Sequence, residues 1–151
     1  MNTKSSIGVL LLNLGTPDDP SVPAVRRYLR EFLSDPRVVD LPAVARWVLL
    51  NLFILPFRPR RSAAAYQKIW TEHGSPLMVN SELLRGAVKN TLGSNYHVAL
   101  GMRYGSPSIE SAIEALKKQC CEYLIVLPLF PQYSSAATGS VLEKTMEVIR
   151  N

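Results

Sequence analysis

Cysteine and histidine are both scarce in this chain, which restricts the metal chemistry that it can support. The only cysteines, Cys120 and Cys121, are adjacent and have no further cysteine to pair with. This arrangement favours neither a disulfide framework nor a zinc site, so it predicts a reduced pair near a helix end. The only histidines, His73 and His97, have no neighbouring cysteine or paired carboxylate, and neither indicates a metal centre or a catalytic triad.

A long apolar run is also missing. The polar start leads directly into Ile7–Leu12, which is too short and too close to the terminus for a signal peptide. The most apolar stretch, residues 41–57, is interrupted by Arg46 and Asn51 and falls short of the roughly 20 apolar residues of a membrane span. Two interpretations of it stay open: an exposed hydrophobic lip or membrane-contacting helix, and a helix buried against a sheet. We predict a cytoplasmic protein, and on the first interpretation it contacts a membrane peripherally through residues 41–57.

Positive charge exceeds negative charge, with a formal net charge of +5 over 151 residues. Two arginine clusters supply most of the excess, namely Arg26, Arg27 and Arg30, and Arg58, Arg60 and Arg61. No aromatic-interleaved RNA motif or helix-turn-helix pattern accompanies them, so we predict no nucleic-acid partner. An acidic small molecule is the better ligand for such clusters.

The order of the apolar segments predicts one α/β domain over residues 1–151. Three continuous or alternating apolar runs predict strands at Ile7–Leu14, Tyr96–Met102 and Leu124–Phe130. Segments with helical spacing separate them, which predicts right-handed crossovers and a doubly wound, Rossmann-like parallel sheet with helices on both faces. The chain stops at Asn151, where a helix should lead to a fourth strand, so we expect a truncated or split product that lacks a carboxyl-terminal half.

Capping residues and prolines predict where the helices begin and end. Ser21 is the predicted cap of the first helix, with Pro23 in its first turn. The other predicted helices comprise a short one within Leu41–Phe57, Ser62–Trp70, one opening at Asn80 or Ser81 and running towards Leu92, one capped by Ser106 with Pro107 in first position, and Val141–Arg150.

Ligands of parallel sheets bind beyond the carboxyl ends of the strands, so three loops are expected to converge on a cleft: residues 13–20, 102–107 and 131–140. The first loop lacks G-x-G-x-x-G and does not predict dinucleotide binding. Arg103 and Tyr104 could orient a carboxylate or form a salt bridge at a strand end. The third loop contains the hydroxyl-bearing residues Tyr133, Ser134, Ser135 and Thr138, which suit either an anion or helix capping.

Five motifs, taken in order, resemble the ferrochelatase family. They are Gly8–Pro17 (GVLLLNLGTP), Tyr28-Leu29 with Phe32–Asp35 (FLSD), Gly74–Leu77 (GSPL), Gly101–Tyr104 (GMRY) and Leu129–Ser134 (LFPQYS). Together they extend over nearly the whole chain, which makes the set far more specific than any one member.

The resemblance implies a lyase of haem synthesis that inserts ferrous iron, its substrate, into protoporphyrin IX, with no tightly bound cofactor. Such enzymes have two similar α/β halves, and this chain is similar to the amino-terminal half. By resemblance, Leu14 contacts the macrocycle, while Arg103, Tyr104 and Tyr133 line the pocket. The propionate-facing set of the family resembles Arg58, Arg61, Tyr66 and Ser75.

The family's proton-accepting histidine and its partner glutamate belong to the second half, and neither His73 nor His97 matches that motif. General-base catalysis is typically worth 10²- to 10⁴-fold in rate. We therefore expect no catalytic residue and no useful chelatase activity in this chain alone. Two other readings stay open, a non-catalytic tetrapyrrole-binding module and a cobalt-inserting relative of the same architecture.

Overall fold

The computed structural model describes residues 5–150, so the two ends of the predicted 1–151 domain lie outside the described residues. Three strands are present: β1 (Ile7–Gly15), β2 (Tyr96–Tyr104) and β3 (Tyr123–Pro128). The α-helices are α1 (Val22–Ser34), α2 (Ala43–Val48), α3 (Leu55–Ile69), α4 (Pro76–Leu92), α5 (Ile109–Lys118) and α6 (Ser140–Arg150). Two π-helical segments, Leu49–Ile54 and Ser135–Gly139, precede α3 and α6.

The strands form a parallel sheet in the order β2-β1-β3, flanked by helices. The central strand β1 pairs with β3 from Ile7 opposite Tyr123 to Leu12 opposite Pro128. At the amino end of the sheet, the Ile7 N–H donates to the carbonyl of Asn95 at 3.0 Å. The predicted α/β class with a parallel sheet is therefore confirmed.

The chain divides into two compact units. The first contains the described residues up to Leu14, Asn80–Arg103 and the residues from Pro107 onward. In this unit α5 packs on the face of β1 that carries Leu10 and Leu12, because alternate strand residues point to the same face. The remaining buried members of this core are Ile109, Ala112, Ile113, Leu116 and Val141.

The second unit contains Gly15–Val79 and Tyr104–Ser106. Here α1 packs against α3 and the π-helical segment Leu49–Ile54. As predicted, the Ser21 side chain caps α1, accepting from the Ala24 N–H, and Pro23 lies in the first turn. The apolar face of α1 is buried, and its members are Ala24, Val25, Tyr28, Leu29 and Leu33.

Gly15 ends β1 in a conformation that other residues rarely adopt. Its φ is +108°, and a Cβ built on it would overlap the carbonyl oxygen of Tyr104. The Tyr28 hydroxyl donates to the Gly15 carbonyl at 3.2 Å. Glycine is required here by both backbone angle and space.

A buried hydrogen bond joins the end of β2 to the end of α1. The Tyr104 hydroxyl donates to Oδ2 of Asp35 at 2.7 Å, and both residues are buried. The other carboxylate oxygen accepts the Arg37 N–H at 2.8 Å. The Phe32 ring meets the Tyr104 ring edge-on, with the centroids 5.2 Å apart. Asp35 is thus satisfied within the fold, as a buried carboxylate must be.

The predicted helix break near Phe57 is wrong. Helical structure continues from Ala43 through the π-helical segment into α3, which ends at Ile69. Pro56 lies at the junction of the π-helical segment with α3, and Pro59 lies inside α3, so each removes one N–H donor from the helix without ending it. The preceding π-helical turn is one of the few irregularities that a continuous helix accommodates. The predicted Ser62–Trp70 helix is therefore the second half of α3.

Two predicted helix starts are also wrong. Helix α4 begins at Pro76 rather than Asn80 or Ser81, because the Ser75 hydroxyl accepts the Met78 N–H at 3.2 Å and caps the helix. Helix α5 is capped by Ser108 and begins at Ile109, rather than at the predicted Ser106 cap. The reason is that the Pro107 carbonyl accepts the Met102 N–H at 2.7 Å, and this bridge beside β2 leaves Ser108 extended, outside the helix.

The remaining boundaries differ by a few residues. Strand β2 continues two residues beyond the predicted Met102, and β3 begins and ends earlier than the predicted Leu124–Phe130. Part of the predicted loop 131–140 is π-helical and leads directly into α6. The cysteines are unpaired thiols just after α5, where Cys120 has the left-handed φ of 53° common at helix ends. Among residues 5–150, every helix is too short or too polar to cross a membrane.

Replacing Gly15 by alanine is expected to lower the free energy of unfolding by about 3 kcal/mol or more, because it combines a forbidden φ with overlap at the Tyr104 carbonyl. Urea denaturation of the chain measures this. The matched control is Gly86→Ala within α4, where a Cβ meets nothing within 4 Å. That change should stabilise by about 0.5–1 kcal/mol, since alanine favours helix interiors. Equal effects of the two changes would contradict the assignment.

Tyr104→Phe is expected to destabilise the chain by about 1.5–3 kcal/mol, because it removes a buried hydrogen bond to a charged group. The same denaturation measurement applies. Tyr123→Phe is the control, since Tyr123 is 63% exposed on β3, and its effect should stay within about 0.5 kcal/mol. A Tyr104→Phe variant as stable as this control would show that the bond to Asp35 contributes nothing.

Candidate functional site

One face of α3 and the π-helical segment before it form an open groove of about 590 Å³. Its residues recur at intervals of three or four, so they lie on one side of the helix. The Phe53 and Phe57 rings are 62% and 74% exposed, which is unusual for phenylalanine. The groove, called the α3 groove below, is lined by Phe53, Ile54, Phe57, Arg58, Arg61 and Ser62.

Two positive charges face the α3 groove without neutralising partners. Arg58 and Arg61 are both exposed, and within residues 5–150 neither forms an ion pair or a hydrogen bond. Each guanidinium therefore keeps its planar set of N–H donors for a ligand, and this geometry matches a carboxylate. Exposed aromatic rings beside free guanidiniums suit a ligand that is apolar in its body and acidic at its edge.

The α3 groove does not include the other two residues of the predicted propionate-facing set. Tyr66 is half-buried one turn further along α3, with its ring edge-on to Trp70 at 6.1 Å. Burial raises its pKa, although a hydrogen bond with Tyr28 acts in the opposite direction. Ser75 is buried, and its hydroxyl caps α4. Of the four predicted residues, the structure brings together Arg58 and Arg61.

Tyr28 connects Tyr66 to the end of β1. Its hydroxyl lies 3.2 Å from the Gly15 carbonyl, and burial is the main reason that its pKa is raised well above the usual range. The neighbouring tyrosines Tyr66 and Tyr104 raise it further. This phenol stays protonated at any physiological pH, so it acts as a hydrogen-bond donor within the fold.

Residues 41–57 are largely exposed, which favours the exposed lip of the two interpretations. Val44, Trp47 and Leu52 are 77%, 62% and 57% exposed, whereas Leu50 is buried. Within its own unit the stretch is therefore a largely apolar surface, and its carboxyl end contributes to the α3 groove.

In the first unit, Arg103 lies against the connection between β3 and α6. Its Nε donates to the buried Ser140 hydroxyl at 2.7 Å, which places the guanidinium at the first residue of α6. Along the same connection, Tyr133 is 74% exposed, and the Ser134 side chain accepts the Ala137 N–H. Thr138 is half-buried in the π-helical segment. Capping, one of the two predicted roles of this loop, is thus observed at Ser134.

The two neighbours Arg103 and Tyr104 have different surroundings. Arg103 contacts Ser140 in the first unit, whereas Tyr104 is 1% exposed and bonded to Asp35 in the second. Leu14 is half-buried, and its N–H donates to the side chain of Asn13. The predicted macrocycle-contacting and pocket-lining roles of these residues stay predictions.

Sequence reasoning missed two partners of the predicted residues. Ser140 receives the Arg103 hydrogen bond, and it was read only as the end of a loop. Asp35 receives the Tyr104 hydrogen bond. An acidic residue directly after a helix opposes the helix dipole, and this unfavourable position was the one available signal that Asp35 has a tertiary role.

Neither histidine is placed for metal chemistry. His73 lies in a turn, 3.5 Å from Glu72, with both side chains exposed, and His97 lies within β2. Across the described residues, no group of three or more histidine, cysteine or acidic side chains is arranged to hold a metal ion.

Comparisons with known proteins identify the family of this chain. The family model described as Ferrochelatase matches residues 6–151. The Coxiella burnetii (strain RSA 493 / Nine Mile phase I) ferrochelatase is 62% identical over 144 residues, which are 95% of this chain and 41% of that protein. The Legionella pneumophila (strain Paris) ferrochelatase is 56% identical over 144 residues, or 95% of this chain and 43% of its own length.

The chain thus spans about two-fifths of the length of these curated relatives. The residues matched by the family model include most of both compact units. This chain belongs to the ferrochelatase family.

Proposed function

We propose that this chain forms the amino-terminal part of a ferrochelatase, a lyase that inserts ferrous iron into protoporphyrin IX to form protohaem. The observation that carries the proposal is the α3 groove, in which two unpaired guanidiniums stand beside two exposed phenylalanine rings. Family membership supplies the reaction, and the groove supplies a reason for this part of the chain to bind the substrate. Ferrous iron is a substrate in this reaction.

Protoporphyrin IX combines a flat apolar macrocycle with two carboxylates on one edge. Phe53 and Phe57 offer apolar faces for a macrocycle, because aromatic rings stack with planar groups. Arg58 and Arg61 offer charge-assisted hydrogen bonds to the propionates. Binding is then favourable for both parts of the ligand. Its apolar body leaves water, and its carboxylates exchange water for guanidinium partners.

Other residues are assigned by family resemblance. We propose that Leu14 contacts the macrocycle and that Arg103, Tyr104 and Tyr133 line the cleft, with Ser134 and Thr138 as further hydroxyl donors. Tyr66 and Ser75 complete the propionate-facing set. The exposed stretch 41–57 supports peripheral membrane contact of a cytoplasmic enzyme, which would let an apolar porphyrin reach the groove without crossing bulk water.

The residues present suggest which steps this chain supports, namely porphyrin binding without proton transfer. The described part of this chain holds no cluster of metal-binding side chains, and His73 and His97 lie apart from the groove residues in sequence and element. We propose that the proton-accepting histidine and its glutamate come from the rest of the polypeptide. A non-catalytic tetrapyrrole-binding module is the alternative, and an in-frame continuation of the gene beyond Asn151 would favour the enzyme.

The proposed site predicts porphyrin binding by the chain itself. Protoporphyrin titrated into it should bind saturably, as followed by optical absorbance, and the Arg58→Gln, Arg61→Gln double variant should bind at least about tenfold more weakly. Arg60→Gln is the matched control, because Arg60 is exposed on the same helix but does not line the groove. It should bind like the parent chain.

Protoporphyrin dimethyl ester provides the matched ligand. It keeps the macrocycle and lacks both carboxylates, so the double variant and the parent chain should bind it equally. If the double variant lost ester and acid binding to the same extent, the arginines would not be reading the propionates, and the proposed site would be wrong.

The proposed origin of the general base predicts the catalytic behaviour of this chain. The 151-residue chain, mixed with protoporphyrin and ferrous iron without oxygen, should form haem no faster than the spontaneous reaction, because the general base is worth about 10²- to 10⁴-fold. Loss of porphyrin fluorescence measures the rate, with the full-length Coxiella burnetii protein as the positive control. Turnover by this chain alone would contradict the proposal that the general base comes from the rest of the polypeptide. It would not contradict the proposed porphyrin site.

A further inference from the structure

A second groove, separate from the α3 groove, lies between α1 and the helix that follows it. It has a volume of about 480 Å³. Its walls come from α1, α2 and the π-helical segment, all within the second compact unit. The residues that matter are Arg30, Ser34, Arg46, Trp47, Leu50 and Asn51, none of which lines the α3 groove. We call it the α1–α2 groove.

The positive charge of this groove is not neutralised. Arg30 is exposed and forms no hydrogen bond or ion pair within the part of the chain that the structure describes. Nη1 of Arg46 donates to the carbonyls of Val39 and Leu41 at 3.3 and 2.9 Å, which fixes the side chain and leaves Nε and Nη2 for a ligand. Asp40, between these carbonyls, makes no ion pair with Arg46 among the described residues.

The other residues that line the groove add apolar and hydroxyl groups. Leu50 is buried at the base of the groove, and the Trp47 ring is exposed beside it. The Asn51 amide donates to the Trp47 carbonyl at 2.9 Å, which ties the π-helical segment to α2. Ser34 adds an exposed hydroxyl at the end of α1. The site therefore combines a fixed guanidinium, a free guanidinium, a hydroxyl and an apolar ring.

We propose that the α1–α2 groove binds a phosphate ester, with the phosphate between Arg30 and Arg46 and an apolar substituent against Trp47. A phosphate monoester carries close to two negative charges at neutral pH and so matches two arginines, whereas a carboxylate matches one. Its tetrahedral oxygens can accept from both guanidiniums and from a hydroxyl together. The groove volume exceeds that of a bare phosphate, so there is room for a substituent. The exposed indole of Trp47 offers this substituent an apolar face.

Such a phosphate could come from a soluble metabolite or from the head group of an anionic lipid, and the site chemistry is the same for both. The experiment uses the complete 151-residue chain and inorganic phosphate as the first probe, followed by phenyl phosphate, both by calorimetric titration. Saturable binding, with phenyl phosphate the tighter ligand, is the expected result.

Arg30→Gln should weaken phenyl phosphate binding by at least about tenfold, the effect expected for one charge-assisted bidentate contact. Arg26→Gln is the matched control, because Arg26 lies one turn away on α1, is equally exposed and does not line the groove. It should change the affinity by less than about twofold, the size expected for screened surface charge. Arg30 has no internal contact, so this variant should fold like the parent chain.

A vesicle experiment distinguishes the two sources. Phosphatidylcholine vesicles with and without phosphatidic acid are sedimented with the chain. Retention only on phosphatidic acid vesicles, lost in Arg30→Gln and competed by phenyl phosphate, identifies a lipid head group. Binding of phenyl phosphate without vesicle retention identifies a soluble ester. No saturable binding of either probe, or equal losses in Arg30→Gln and Arg26→Gln, would overturn the proposal.

Discussion

The close approach of Gly15 to the Tyr104 carbonyl governs how two neighbouring strands end. No side chain fits between the two backbones, so β1 and β2 finish side by side. Tyr28 then reaches the Gly15 carbonyl, and the Tyr104 phenol reaches Asp35 beyond the end of α1. Because Gly15 has no side chain, Tyr28 and Tyr104 can both form their hydrogen bonds at the place where β1, β2 and α1 end. We call this place the corner. The position of α1, and with it the base on which α3 packs, depends on this corner.

The elements that could be predicted from the sequence are those determined by neighbouring residues in the chain. Continuous or alternating apolar runs located all three strands to within a few residues. Strand β1 is mostly buried, whereas β3 is mostly exposed, so the apolar run located β3 without predicting its burial. The cap at Ser21 was equally local. The errors in predicted helix starts include a position where a contact with a residue distant in the sequence determined the backbone, and not the local capping or proline pattern. Pro107 looked like a helix start, yet its carbonyl was already bound to Met102 across the sheet end.

The candidate site could be predicted in part, for a related reason. Family resemblance and charge clustering identified Arg58 and Arg61, and helical spacing is enough to place residues three apart on one face. The partners of Arg103 and Tyr104 could not be predicted, since Ser140 and Asp35 are 37 and 69 residues away in the sequence. Nor could the exposure of Phe53 and Phe57 be predicted from an apolar run that suits a buried helix equally well.

The π-helical segment Leu49–Ile54 sets a rotational phase between two parts of one continuous helix. Residues of an α-helix follow one another at about 100° around the axis, so one residue more or less in this segment turns everything after it by that angle. Arg46 and Trp47 precede the segment, whereas Arg58 and Arg61 follow it. The number of residues in this turn therefore determines which way the two arginine-bearing faces point relative to each other. An insertion or deletion here would turn Arg58 and Arg61 away from their present direction without changing either side chain. It should therefore disturb the α3 groove more than a substitution at Leu49 or Leu52, which line neither groove.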